Sequence, residues 1–143
     1  MTNFQLGLVE LRRIAMPLVS PFRTSFGSQS ARDILLVRVE LAAEDGSVTE
    51  GWGECVALSE PSYSPEYVEG AQHVIEHHLL PQLRSTGRLD AAGVGAALSK
   101  LHGHPMAKAA IEMAVLDAQL RSTETSFASY LGATRTTIPS GVS

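Results

Sequence analysis

The longest regular pattern of apolar positions runs from His104 to Arg121, HPMAKAAIEMAVLDAQLR. Pro105 suits a first helical position, where its missing N–H costs nothing. Strong helix formers follow, with no Gly and no second Pro. At about 100° per residue, Met106, Ala109, Ala110, Met113, Leu116, Asp117 and Leu120 share one face. Ala107, Ile111, Ala114 and Ala118 widen the apolar surface. Lys108, Glu112, Val115 and Gln119 are left as a narrow outer strip. Such a helix is expected to be packed on two sides, its alanines permitting close approach.

Three strands are expected before it. Gln5 to Met16 is rich in Leu, Val and Ile. In Ile34 to Leu41 the residues Leu35, Val37, Val39 and Leu41 alternate with Arg38 and Glu40. Val48 to Val56 follows an Asp45-Gly46 turn signal. Together they form an antiparallel meander that helices must cover on one face. In the third strand, Gly51-Trp52-Gly53 suggests a bulge or the close approach of another backbone.

Between the strands, Pro17 to Ser30 has two prolines, a glycine and many hydroxyls, and reads as a loop. Leu58 to Ser64 reads as a second. They carry Val19, Phe22, Phe26 and Tyr63, which need either a core to plug or a ligand to touch. Ser64-Pro65-Glu66 opens a helix whose inner face is Tyr67, Ala71, Val74, Ile75, His78 and Leu79, ended or kinked by Pro81. After a Gly/Arg/Ser linker at 85–88, Asp90 caps a weaker helix through Leu101. Ser126 caps a short one, with Gly132 after it. Residues 136–143, TTIPSGVS, look like the start of a strand.

Composition narrows the function. The 143 residues are 44% hydrophobic and 18% charged, the balance of a globular domain. A net charge of −4 without any Lys/Arg cluster disfavours nucleic acid as a partner. Cys55 is alone, so an internal disulfide framework is excluded. With no secretory leader and no apolar run of about 18 residues, the expectation is a cytoplasmic protein with no membrane partner.

Chemistry is sparse. His73-Val74-Ile75-Glu76-His77 matches the H-x-x-E-H metallopeptidase pattern. Both histidines point away from the inner face, and no third ligand is evident, so a solvated helix face is the better account. His102 and His104 flank a glycine and read as loop polarity. Asp117, a carboxylate on an apolar face, is expected to anchor backbone N–H groups, with Glu54 in a similar role. No nucleophile–base pair and no phosphate-cradling loop is present.

Four stretches nevertheless carry a resemblance: PLVSPFRTSFG at 17–27, GWGEC at 51–55, MAKAAIEMAVLDAQLR at 106–121 and IPSGVS at 138–143. The chain resembles the N-terminal part of the enolase superfamily, in the branch of o-succinylbenzoate synthases and N-acylamino acid racemases. The resemblance implies an α+β capping domain over 1–135, a three-stranded meander followed by a helical bundle. It also implies the start of a first TIM-type barrel strand at 136–143. The implied loops close over a barrel mouth, so Phe22, Leu58, Tyr63 and Ser143 would meet a small carboxylate substrate, with Arg23 and Phe26 beside them. The family's lysine bases and three acidic Mg²⁺ ligands would all lie beyond Ser143, on the barrel as partner. The chain alone is then expected to be an inactive lid, and the whole enzyme a homo-oligomer. The rivals are another superfamily enzyme, such as a muconate cycloisomerase or dipeptide epimerase, and a stand-alone binding module.

Overall fold

A computed structural model of the chain describes residues 3–25 and 27–141. Phe26 and Ser143, both expected near substrate, lie outside the described residues. The three expected strands are present as β1 (Phe4–Thr24), β2 (Gly27–Ala42) and β3 (Val48–Cys55). A two-residue strand, β4 (Arg88–Leu89), adds to them where a linker was expected. It pairs antiparallel with Phe4 and Gln5, so the sheet runs β3-β2-β1-β4. Leu35, Val37, Val39 and Leu41 are buried on the inner face, as their alternation predicts. On the outer face Arg38 holds Glu40 and Glu50 at 2.9 Å each.

The expected loop at 17–30 is instead the far end of a long hairpin. Phe22 pairs with Gln29, Arg23 with Ser28 and Thr24 with Gly27. The ladder is interrupted between the two prolines: Pro17 is its last paired residue before the break, and Pro21 falls inside the break. Between the pairs Pro17–Ala31 and Phe22–Gln29, five steps along β1 face two along β2. Pro17 and Pro21 therefore bracket a bulge of the kind that accepts residues without an N–H. Val19 rides on it, fully exposed.

The helical layer begins at α1 (Val68–Val74), later than Ser64-Pro65-Glu66 suggested. A π-helical turn (Ile75–Leu79) and α2 (Leu80–Ser85) continue it. Pro81 lacks the N–H that an α-turn would aim at the His77 carbonyl, and its ring would crowd that carbonyl. The widened turn absorbs the conflict, so the helix is neither ended nor broken. The extra residue in that turn also moves His78 outward: it is exposed, not on the inner face. Tyr67 is likewise largely outside, and Val68, Ala71, Ile75 and Leu79 form the buried row. Then α3 (Ala91–Ala97) starts where expected, the Asp90 carboxylate accepting the Gly93 N–H at 2.9 Å. It ends before Leu101.

The helix that organises the chain, α4 (Pro105–Ser122), lies across β3. Its buried residues are Ala107, Ala110, Ile111, Ala114, Val115, Ala118 and Leu120. This face is rotated from the expected one: Val115 is inside, and Met113 is 44% exposed. The glycines of β3 decide it. A Cβ on Gly53 would sit 2.0 Å from the Ala110 carbonyl oxygen. One on Gly51 would sit 2.3 Å from the Ala114 oxygen and the Ala118 nitrogen. Helix backbone thus rests on strand backbone, and only alanines fit along the seam. A short α5 (Phe127–Tyr130), with Ser126 as its cap, follows, and residues 132–141 form no regular element.

Candidate functional site

Beyond the end of β3, the hairpin and the segment 56–67 face each other across an open cleft of about 470 Å³. Phe22, Thr24, Gln29 and Arg32 come from the hairpin; Leu58, Ser59, Glu60 and Tyr63 come from the segment. On the β1 side strand alternation selects the contribution, because successive side chains point to opposite faces, whereas β2 lends the consecutive Gly27, Ser28 and Gln29 as well as Arg32. Phe22 and Thr24 line the cleft, and Arg23 between them does not.

The segment is held at both ends. Ala57 is buried at its start. Leu58 accepts the Val68 N–H at 2.8 Å through its carbonyl. At the far end Glu66 is 7% exposed and its carboxylate receives the backbone N–H groups of Met106 (2.8 Å) and Ala107 (3.1 Å). The crest between is open: Tyr63 is 76% exposed, and Phe22 opposite it 56%. Of the two readings left for the loop aromatics, a core plug is excluded for these two.

Three of the six predicted positions therefore meet in one place: Phe22, Leu58 and Tyr63. Arg23 lies outside the cleft, and Phe26 and Ser143 are not described. Sequence reasoning missed Arg32, which sits where the β2 alternation breaks into a polar Arg32-Asp33 pair. Asp33 is committed elsewhere: it accepts from Arg13 Nε at 3.0 Å. That hydrogen bond holds its carboxyl below the usual carboxylate range.

The remaining candidates lie away from the cleft. Asp117 does anchor a backbone donor, the Trp52 N–H at 2.9 Å, and also accepts from Arg121 at 3.0 Å. Glu54, by contrast, is exposed. His73 and His77 are exposed and stacked with ring centroids 4.4 Å apart. The His77 Nδ1–H donates to the His73 carbonyl at 3.0 Å. Cys55 is buried, and desolvation pushes its thiol up, away from the reactive thiolate. Among the described residues no three His, Cys, Asp or Glu side chains come together to hold a metal. No described helix is long and apolar enough to cross a membrane.

A family model, the mandelate racemase / muconate lactonizing enzyme N-terminal domain, matches residues 9–132. The chain belongs to this family. Its α+β architecture is that of the enolase-superfamily N-terminal domain. A solved enolase-superfamily member from Listeria innocua superposes with a TM-score of 0.79 at 33% identity, covering 94% of this chain and 35% of that one. An N-succinylamino acid racemase from Amycolatopsis is 54% identical over 139 residues, 97% of this chain and 36% of its own length. An o-succinylbenzoate synthase from Listeria innocua is 36% identical over 128 residues, 90% of this chain and 33% of its own. The chain thus spans about a third of the length of these relatives.

Proposed function

We propose that this family domain is the lid of an o-succinylbenzoate synthase / N-succinylamino acid racemase, with the cleft between hairpin and 56–67 segment as its share of the substrate pocket. The observation that carries the reading is the meeting of Phe22, Leu58 and Tyr63 in one open, largely apolar cleft. The relatives favour this branch over a cycloisomerase or an epimerase, and both names contain a succinyl group. In this reading residues 1–135 are the capping domain and 136–143 begin the first strand of a following barrel. The barrel would supply the bases and bind Mg²⁺, the ion that enolase-superfamily enzymes generally use. The described residues offer no ligand set for that ion, so no step here runs through it. What the chain itself contributes is a wall: it orients an apolar substrate body and shields it from water. The whole enzyme would be a cytoplasmic homo-oligomer acting on a small carboxylate.

The test joins this chain to the remaining two thirds of the Amycolatopsis racemase. The fusion should racemise N-succinylamino acids, and the 143 residues alone should show neither racemase nor dehydratase turnover with Mg²⁺ supplied. An inactive fusion that is folded and binds Mg²⁺ refutes the lid reading. Within the fusion, Phe22→Ala or Tyr63→Ala should lower kcat/KM roughly tenfold or more, the value of an apolar pocket contact. Because both rings are exposed, stability should move by only about 0.5 kcal/mol. A loss of several kcal/mol in urea unfolding would mean that either ring packs structurally against the added barrel instead of serving the substrate.

A further inference from the structure

We propose that Arg32 binds the carboxylate at the far end of a succinyl group, and so makes the cleft prefer succinylated substrates over those with uncharged acyl groups. The inference rests on the lid reading above and adds to it the residue that recognises the acyl group.

Two arginines of the hairpin, Arg23 and Arg32, have no partner among the described residues; Arg23 is exposed and outside the cleft, whereas Arg32 is half-buried and lines it. Arg12 is paired with Glu10, Arg13 with Asp33, and Arg38 with Glu40 and Glu50. Arg88 donates to the Asn3 carbonyl. Arg32 is half-buried, yet among the described residues it has neither an ion pair nor a hydrogen bond. Its neighbour Asp33 is already taken by Arg13, so it is no competitor. Glu60 also borders the cleft, but it is exposed and forms no ion pair with Arg32.

Position supports the same reading. Arg32 lines the main cleft and also a smaller recess of about 60 Å³ beside it, formed with Gln29, Ala31, Asp33, Leu58 and Ser59, where the Asp33 carboxylate is held by Arg13. It is the one cation among the described residues that line either. An apolar wall of Phe22, Leu58 and Tyr63 with one arginine in the same lining suits an elongated ligand that is apolar along its length and anionic at its tip. A succinyl chain has that form, and its terminal carboxylate is separate from the carboxylate at the reacting carbon. The guanidinium fork matches a carboxylate with two parallel N–H donors, which an uncharged acyl chain cannot accept.

The experiment uses the same fusion and two substrates of equal acyl length, N-succinyl-phenylalanine and N-butyryl-phenylalanine. For Arg32→Gln, kcat/KM on the succinyl substrate should fall roughly 10- to 100-fold, the scale of a lost charge-assisted hydrogen bond. On the butyryl substrate the change should stay within about twofold, because no carboxylate is there to be bound. Arg32→Lys, which keeps the charge without the fork, should fall between. Equal losses on both substrates in either variant would assign Arg32 a packing role and overturn the proposal. So would an unchanged preference for succinyl over butyryl. If the unsubstituted fusion racemises neither substrate, the lid reading fails first, and the proposal falls with it.

Discussion

Gly53→Ala should destroy the cooperative fold of this domain, and Gly51→Ala should come close to doing so. In a strand, replacing Gly by Ala ordinarily stabilises, because alanine has less backbone freedom to lose. Here the sign reverses. The new Cβ at 53 would lie 2.0 Å from the Ala110 carbonyl oxygen and 2.9 Å from the Ala114 nitrogen. At 51 it would lie 2.3 Å from main-chain atoms of Ala114 and Ala118. No rotamer relieves a contact with backbone, so α4 must lift off β3 along the seam. The expected loss is about 3 kcal/mol or more, at the upper end for overpacking. Two controls separate this from a general intolerance of substitution. Gly95→Ala, in α3 with nothing within 4 Å of its Cβ, should be neutral or stabilising by about 0.5–1 kcal/mol. Ala110→Gly should not rescue Gly53→Ala, because the offending atom is a carbonyl oxygen that glycine also carries. Urea unfolding of the four variants decides it; a Gly53→Ala domain that unfolds like the parent would mean that helix and strand are not in backbone contact.

The glycine pair shows how far a sequence can be read here. Gly51-Trp52-Gly53 announces that another backbone comes close, and the alanine spacing of α4 announces a helix able to come close. Neither says that the two meet, so the face of α4 could be placed only by its average hydrophobicity. That average favours the side with Met106 and Met113, whereas the strand glycines select the alanines. The hairpin was illegible for a related reason. Proline and hydroxyl residues at 17–30 report local preference, but the pairing of Phe22 with Gln29 is a non-local ladder that a bulge lets past Pro17 and Pro21. The two residues of β4 have no periodicity to detect. Asp90 and Pro105 are legible because their roles, a cap and a first helical position, are set within one helical turn. At the site, Phe22, Leu58 and Tyr63 could be named from the family resemblance. Arg32 could not, because its distinction is half-burial in the cleft lining without a partner, and that is a property of the folded chain.

Glu66→Ala should cost about 3 kcal/mol, lowering the melting temperature by roughly 10 °C, although Glu66 belongs to no regular element. The reason is the unusual start of α4. A helix begins with backbone N–H groups that have no partner inside it. His104, at the cap position, has φ of 55° and makes no side-chain capping bond. Pro105 has no N–H to satisfy, and the Lys108 N–H bonds the His104 carbonyl at 3.0 Å. That leaves the donors of Met106 and Ala107, and Glu66 takes both, one with each carboxylate oxygen. Its negative charge also sits at the positive end of the 18-residue helix. Alanine would strand two donors in a place that is itself nearly closed to water, since Glu66 is 7% exposed and Ala107 is buried. Glu66→Gln keeps one acceptor and removes the charge, so it should lose about half as much. Glu66→Asp retains the charge but is one methylene short of both donors, and should resemble alanine more than glutamine. The same residue closes the segment that bears Leu58 and Tyr63, so its loss should also loosen the cleft. Hydrogen exchange at Met106, Ala107 and Val68 should therefore accelerate together in Glu66→Ala. Faster exchange at Met106 and Ala107 with Val68 unchanged would show that the helix start and the cleft wall are held independently.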